Sequence, residues 1–191
     1  LVINFYNERR KQLLDVVPNA GHLGVADLER DFNVTVVTQN VDNLHERAGS
    51  THVIHLHGEL TKVCSSRDPY NPHFVKELAP EEYEVKLGDK AGDGTQLRPF
   101  IVWFGESVPE IETAIRYVEQ ADIFVIIGTS LNVYPAAGLL NYVPRAAEVY
   151  LIDPKPVDTH VMRPIHVIQK GASEGVKELK ALLTATQPPL P

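Results

Sequence analysis

Short apolar runs rich in β-branched residues recur along the chain and predict β-strands. They lie at residues 34–37, 53–56, 100–104, 123–127, 148–152 and 165–168. Stretches typical of helices separate several of these runs, at residues 110–120, 135–143 and 174–184. Because strands alternate with helices, we predict an α/β fold in which helices cover both faces of a parallel sheet.

The start of the chain has the pattern of an amphipathic helix, in which four apolar residues stand among polar ones, namely Leu1, Phe5, Leu13 and Leu14. Pro18 and Asn19 are typical of a break and a cap before a second helix, predicted at residues 20–31. Because the chain opens with leucine in mid-helix, we expect it to start partway through a larger protein.

Residues 65–99 differ from the rest of the chain, since Asp, Pro, Gly, Asn and Lys dominate and periodicity is weak. This composition predicts a small module or a long loop that leaves the main sheet. The only cysteine, Cys64, stands at the edge of this segment. One cysteine excludes an internal disulfide framework and, on its own, the cysteine-rich zinc modules.

The composition limits the classes of partner and location. A chain of 191 residues with 43% hydrophobic content can bury one sizeable core. The net charge of -7 and the absence of a basic face give no electrostatic reason to expect nucleic acid or an anionic membrane. The apolar runs are too short to span a bilayer, and the start lacks a signal-peptide layout. We therefore predict a cytoplasmic protein, for which a positively charged peptide is the more natural partner.

Polar residues follow four of the predicted strands, and ligands of open α/β sheets bind at the carboxyl ends of parallel strands. Glycine followed by two hydroxyl residues, as at residues 128–130, lets backbone amides approach phosphate or ribose oxygens. An acidic residue that ends a strand, such as Asp153, can accept hydrogen bonds from ribose hydroxyls. Each of these signals is weak alone, because turns and helix caps use the same residue types.

Two histidines and the cysteine lie close together in VIHLHGELTKVCSS, residues 53–66. His55 and His57 are two positions apart, so on a strand both side chains face the same side. Metal ligation, a catalytic base and an ordinary place in a strand are all compatible with His55, His57 and Cys64 when they are taken alone.

Taken together and in order, five segments resemble the sirtuins, the NAD-dependent protein lysine deacylases, and in particular their bacterial branch. The segments are TQNVDNLHERAG (38–49), VIHLHGEL (53–60), LRPFIVWFGE (97–106), ADIFVIIGTSLNVYPAAGL (121–139) and LIDP (151–154). The resemblance implies a single catalytic domain over residues 1–191, with a Rossmann-like sheet and a small module at residues 61–99. It also implies NAD as cofactor, acylated lysine of proteins or peptides as substrate, and nicotinamide and O-acyl-ADP-ribose as products.

The resemblance assigns a role to each matched residue. His57 is the expected catalytic base, whose neutral imidazole accepts a proton from a ribose hydroxyl, whereas His55 is expected to be structural. The nicotinamide and its ribose are expected to contact Gln39, Asn40 and Asp42. The adenosine half of NAD is expected to contact Gly128, Thr129, Ser130, Asp153 and Ala172. The acylated lysine and its peptide, bound as an added strand, are expected to contact Val102, Phe104, Gly105, Glu106, Leu131 and Val133.

The segment FYNERR at residues 5–10 resembles the Tyr-x-x-Arg signature of sirtuins that remove succinyl and malonyl groups. Tyr6 and Arg9 are three positions apart, hence on one helix face. Together they could grip a terminal carboxylate, to which arginine supplies charge-assisted hydrogen bonds. A solvated arginine on a surface helix remains the alternative.

The chain departs from the family in two respects. Most sirtuins bind a structural zinc with four cysteines, whereas Cys64 stands alone and His73 lacks suitably spaced partners, so we predict no zinc. The family's glycine-rich N-terminal segment, first strand and flexible cofactor loop have no match here, so we expect a longer natural protein or a catalytically crippled chain. Transfer of ADP-ribose and non-catalytic binding of acyl-lysine peptides remain as alternative functions.

Overall fold

The computed structural model describes residues 1–129 and 131–185. Its helices are α1 (Val2–Asp15), α2 (Ala20–Asp27), α3 (Leu44–Ala48), α4 (Ile111–Val118) and α5 (Ala172–Ala185). Its strands are β1 (Val36–Thr38), β2 (Val53–His55), β3 (Gly58–Ser65), β4 (Lys76–Glu77), β5 (Leu97–Ile101), β6 (Ile123–Ile127), β7 (Glu148–Ile152) and β8 (His166–Ile168). Short 3-10 helices lie at Leu28–Arg30, Pro72–Phe74, Pro80–Glu82 and Ala136–Tyr142.

The chain divides into two compact units. Unit 1 contains Leu1–Val17, Val37–Leu44 and Ile54–Pro109. Unit 2 contains Pro18–Val36, His45–Val53 and the chain from Glu110 onward. No helix in the described ranges combines the length and the apolar character needed to cross a membrane.

The predicted α/β fold is confirmed, but the strands found in residues 1–129 and 131–185 belong to three sheets rather than one. β6, β7 and β8 form a parallel sheet, β1 pairs with β2, and β3 lies between β4 and β5 in an antiparallel sheet. The apolar run at residues 100–104 is therefore no strand of the parallel sheet. It belongs to β5, which begins earlier and ends at Ile101, because the chain turns at residues 104–106.

Unit 2 is built on the parallel sheet, whose strands pair in register from Ile123 with Glu148 to Ile127 with Ile152. Helix α5 lies close against β7, since a Cβ atom on Gly175 would come 2.2 Å from Ile152 Cγ2. Helix α2 packs against α5. The buried core residues come from the two helices, the sheet and the first 3-10 helix: Val25, Leu28, Tyr150, Ile152, Ile168, Val176, Leu179 and Leu183. This core fixes the carboxyl ends of β6 and β7.

The second predicted helix is shorter than expected. α2 ends at Asp27 and continues as a 3-10 helix at Leu28–Arg30, where the Leu28 N–H bonds to the carbonyls of Ala26 and Gly24. Such tightening satisfies carbonyls that a helix end leaves without partners. Residues 136–142 likewise form a 3-10 helix instead of an α-helix.

Helix α1 attaches to the rest of unit 1 through polar side chains as well as Leu13, so the predicted apolar face is wrong in detail. Leu1, Phe5 and Leu14 are exposed, whereas Arg10 and Leu13 are buried. Arg10 Nε donates to the Tyr83 carbonyl at 2.7 Å, and Arg10 Nη2 donates to Asn7 Oδ1 at 2.7 Å. Asn7 also exchanges two hydrogen bonds of 2.9 Å with the backbone of Val85. These partners satisfy Nε and Nη2 of the buried guanidinium, whereas Nη1 has no hydrogen-bond partner among the described residues.

The segment after β3 is held by a hydrogen-bond network around Ser65. The Ser65 hydroxyl donates to Asp93 Oδ2 at 2.6 Å and accepts from the backbone amides of Arg67 and Asp68. Thr95 donates to the other Asp93 oxygen at 2.7 Å. These side-chain hydrogen bonds, with Ser65 foremost, lower the pKa of Asp93 to about 2. The charged carboxylate therefore ties β3 to the loop before β5.

Cys64 lies in β3 as a core residue with no exposed surface. Its Sγ atom is 3.7 Å from the Pro99 carbonyl oxygen. Burial raises the pKa of the thiol to about 11, so it is protonated at neutral pH, whereas zinc binds the thiolate. The residues around Cys64 therefore do not fit a zinc centre, and the absence of zinc stays a prediction, as do the module bounds 61–99.

We expect a zinc chelator to leave the unfolding temperature unchanged, because the Ser65 network and the contacts of α1 hold this segment without metal. In the same samples, a disulfide reagent should react with Cys64 only after denaturation, since the thiolate is the reactive form. Differential scanning calorimetry and a spectrophotometric thiol titration measure the two effects. A chelator-induced loss of stability that zinc restores would contradict this account.

Candidate functional site

His57 is presented by a tight turn between β2 and β3, in unit 1. Gly58, which follows it, has a φ of +87°, and a Cβ atom there would lie 2.1 Å from the Phe100 carbonyl oxygen. Gly58 also pairs with Ile101 in the antiparallel sheet. Only glycine fits this position, because both the backbone conformation and the close approach exclude a side chain.

The hydrogen bonds of His57 define which ring nitrogen can act as a base. Nδ1 lies 3.2 Å from the Gln39 carbonyl oxygen. A carbonyl oxygen only accepts, so Nδ1 carries the hydrogen and Nε2 keeps its lone pair. The His57 carbonyl accepts a 2.9 Å hydrogen bond from the Val102 amide, which fixes the backbone of the histidine. The half-buried imidazole is thus oriented as a proton acceptor.

His55 occupies a different environment from His57. It is buried, its Nδ1 lies 3.2 Å from the Asn40 carbonyl oxygen, and its Nε2 lies 4.0 Å from Glu59 Oε1. Glu59 also bonds Lys62 Nζ at 2.6 Å. These contacts give His55 a structural role in holding the loop after β1.

The loop after β1 carries the residues expected at the nicotinamide end of the cofactor. Thr38 Oγ1 accepts from the Asn40 amide at 3.0 Å, and Asp42 Oδ1 accepts from the Leu44 amide at 3.0 Å, at the start of α3. The carbonyls of Gln39 and Asn40 contact the rings of the two histidines. The loop and His57 therefore form one connected group in unit 1.

The segment after β5 is organised by an ion pair between Arg98 and Glu106. Arg98 Nη1 and Nη2 donate to the two carboxylate oxygens of Glu106 at 2.8 and 3.1 Å. Arg98 Nη2 also donates to the Ile101 carbonyl, and the Trp103 amide donates to Glu106 Oε2, each at 2.8 Å. Hydrogen bonds from Arg98 are the main cause that lowers the pKa of Glu106.

Within this segment the expected substrate residues differ in exposure. Phe104 projects fully into solvent at the tip of the turn, next to Gly105, whose φ is +88°. Val102 is partly buried and bonded to His57. The Glu106 carboxylate is engaged by Arg98, so only the backbone of Glu106 is suited to contact a peptide.

The two residues expected to read the acyl group have different surroundings. The Tyr6 hydroxyl accepts a 2.9 Å hydrogen bond from Trp103 Nε1, which ties α1 to the segment after β5. Arg9 is exposed, lies 5.1 Å from the centre of the Phe5 ring and donates to Gln12 at 3.4 Å. Sequence reasoning included Trp103 in the matched acyl-lysine segment but gave its side chain no role, although it is the only tryptophan in the chain.

Unit 2 brings together residues expected at the adenosine half of the cofactor, at the carboxyl ends of β6 and β7. The Gly128 amide donates to the Ile152 carbonyl at 3.0 Å, and the Asp153 amide donates to the Ile168 carbonyl at 3.3 Å. Gly128 has a φ of +62°, and among the described residues a Cβ atom there would meet no atom within 4 Å. This open space lets the Gly128 backbone approach a ligand.

Thr129 and Leu131 follow β6 in the chain, and Asp153 follows β7. Thr129 Oγ1 accepts from the Leu131 amide at 3.2 Å, and Leu131 has a φ of 57°. Asp153 Oδ1 accepts from the Lys155 amide at 2.8 Å, so this carboxylate also shapes a turn. Ala172 is the first residue of α5, Val133 is exposed, and Ser130 lies outside the described residues.

Comparison with known proteins gives one consistent family. The Sir2 family model matches residues 2–135. The NAD-dependent protein deacylase of Bacteroides thetaiotaomicron is 84% identical over 183 residues, which cover 96% of this chain and 78% of that protein. The NAD-dependent protein deacylase of Helicobacter pylori is 47% identical over 178 residues, 93% of this chain and 75% of that protein.

A solved structure agrees with these sequence matches. A crystal structure described as a Sir2 homolog–NAD complex superposes with a TM-score of 0.79 at 36% identity, covering 97% of this chain and 72% of that one. The likeness therefore extends over both units and includes the regions that hold the predicted residues.

We expect Gly58→Ala to lower the free energy of unfolding by at least about 2 kcal/mol, because the methyl group would meet the Phe100 carbonyl in a strained backbone. Gly88→Ala is the matched control, since Gly88 has a φ of +102° but open space around its Cβ position. Denaturant unfolding measures both. Equal losses in the two variants would contradict the close approach at Gly58.

Proposed function

The chain belongs to the Sir2 family, and we propose how its residues carry out the NAD-dependent removal of acyl groups from protein lysines. The protein is an enzyme of the deacylase type with NAD as its cofactor. Neither ADP-ribose transfer nor peptide binding without catalysis is favoured, since the relatives are named for deacylation.

NAD is an extended molecule, and each of its two halves needs contacts with the protein. Gly128, Thr129, Asp153 and Ala172, with Ser130, would hold its adenosine half; the open space at Gly128 supports this assignment. Gln39, Asn40 and Asp42 would hold the nicotinamide and its ribose through amide and carboxylate hydrogen bonds. When bound, NAD supplies an electrophilic sugar carbon, with nicotinamide as the leaving group.

His57 is the proposed catalytic base. The observation that carries this role is the contact of Nδ1 with the Gln39 carbonyl, which leaves Nε2 as the acceptor. Nε2 would take a proton from a hydroxyl of the bound ribose, a step for which an imidazole that is neutral near pH 7 is suited. The Val102 amide holds the His57 backbone while the proton moves.

The proposed substrate is an acylated lysine within a protein or peptide. Its Nε would donate to the Val102 carbonyl, and its backbone would pair with residues 105–106 of unit 1 by strand addition. Phe104, which is fully exposed in this structure, would cover the acyl chain. A solved Sir2 structure described with a p53 peptide and NAD+, with a TM-score of 0.73 and 27% identity over 92% of this chain, supports a peptide substrate.

We propose further that acidic acyl groups such as succinyl and malonyl are preferred. Tyr6 lies against the segment that would bind the acyl-lysine, through its hydrogen bond with Trp103. Arg9 is one helical turn away and is exposed, so its guanidinium can move to a carboxylate without breaking a buried contact. A charge-assisted pair would supply selectivity over acetyl.

We expect His57→Tyr to reduce deacylation at least about 100-fold, the size of a lost general base. His73→Tyr is the control, since His73 is exposed in the same unit. Nicotinamide release from an acyl-lysine peptide measures turnover, and circular dichroism checks the fold. Substantial turnover by a folded His57→Tyr enzyme would remove this residue from the base role.

We expect Arg9→Met to lower kcat/KM for a succinyl-lysine peptide about 10-fold more than for an acetyl-lysine peptide, because a hydrogen bond to a charged group is worth roughly 1.5–3 kcal/mol. Lys11→Met, an exposed cation on the same helix, is the charge-matched control. Equal losses on the two peptides, or the same selectivity change in the control, would defeat the acidic-acyl proposal.

A further inference from the structure

We propose that Trp103 is a specificity-determining positioning residue, whose indole N–H orients the Tyr6 hydroxyl so that its proton is directed to an acidic acyl group. This inference rests on the proposed preference for acidic acyl groups and adds a residue that the family signature in α1 does not contain.

The direction of one hydrogen bond carries the argument. Trp103 Nε1 lies 2.9 Å from the Tyr6 oxygen, and the indole nitrogen can only donate. The Tyr6 oxygen must therefore accept, and the single phenolic hydrogen must point away from Trp103. A tyrosine held in this way is prepared to donate to another acceptor.

The chemistry of the acyl group decides which substrate benefits. A succinyl or malonyl group ends in a carboxylate, which accepts hydrogen bonds and forms stronger ones than a neutral acceptor does. An acetyl group ends in a methyl group and has no acceptor at that end. Fixing the direction of the Tyr6 hydroxyl therefore favours acidic acyl groups without improving contacts to acetyl-lysine.

Trp103 is itself held in place by the ion pair of Arg98 and Glu106. Its backbone amide donates to Glu106 Oε2 at 2.8 Å. The Arg98 guanidinium carbon lies 3.7 Å from the centre of the indole ring, within the range of a cation–π contact. Because both ends of Trp103 are fixed, its N–H has a defined position relative to α1, and Tyr6 loses little further entropy when substrate binds.

A double-mutant cycle tests this role. Trp103→Phe keeps an aromatic ring beside Arg98 but removes the N–H, and Tyr6→Phe removes the hydroxyl. We expect each single variant to lower the ratio of kcat/KM for succinyl-lysine over acetyl-lysine peptides about 5-fold. Trp103→Phe made in the Tyr6→Phe background should change the ratio by less than about 2-fold, because the two residues act through the same hydrogen bond.

A second replacement at Trp103 controls for loss of folding. Because Trp103 is the only tryptophan, benzothienylalanine, in which sulfur replaces the indole N–H, can be incorporated at this position alone. Its shape is close to that of tryptophan, so the same 5-fold fall in the ratio is expected in a folded enzyme.

The outcomes separate this inference from the proposed function. If Arg9→Met and Tyr6→Phe lower the ratio but neither replacement of Trp103 does, the inference is wrong and the acidic-acyl preference stands. If the Trp103 replacements lower kcat/KM equally for both peptides, Trp103 does not determine acyl specificity and the inference is also wrong. The same holds if they lower the ratio further in the Tyr6→Phe background, because Trp103 then acts independently of Tyr6. If Arg9→Met and Tyr6→Phe leave the ratio unchanged, the acidic-acyl preference itself fails, and the inference with it.

Discussion

The ion pair of Arg98 with Glu106 is the interaction on which the substrate segment of unit 1 depends. Arg98 is buried and gives Glu106 two hydrogen bonds, while Glu106 also accepts from the Trp103 amide. Removing Glu106 would leave the buried Arg98 charge and the Trp103 amide without this partner, at a cost of roughly 3–5 kcal/mol. The pair thus closes the turn at residues 104–106 and sets the backbone that would bind the acyl-lysine.

Two functional contacts extend from this turn. Val102 donates to the His57 carbonyl, so the backbone expected to bind substrate and the proposed base share one hydrogen bond. Trp103 donates to Tyr6, so the helix proposed to read the acyl group is tied to the same segment. A change at Arg98 or Glu106 would therefore affect catalysis and acyl selectivity together.

The sequence predicted the strands with unbroken apolar runs best, since residues 123–127 and 148–152 match β6 and β7. It did not predict β3, because Glu59, Thr61 and Lys62 interrupt the apolar pattern and pairing with β5 is non-local. The burial of Arg10 and the contact of Trp103 with Tyr6 could not be predicted from the sequence either, because both depend on residues more than 70 positions apart. The motifs identified His57 as the candidate base, but its tautomer was inferred from the contact of Nδ1 with the Gln39 carbonyl in the structure.

The central claim is that this enzyme combines an NAD-dependent deacylase centre with recognition of acidic acyl groups. The most direct measurement is the rate of nicotinamide release by the unaltered enzyme with two peptides of one sequence, one succinylated and one acetylated at the same lysine. The account predicts release that requires NAD, with the higher kcat/KM for the succinylated peptide. A higher kcat/KM for the acetylated peptide would contradict the acidic-acyl account, and no release with either peptide would contradict the deacylase mechanism itself.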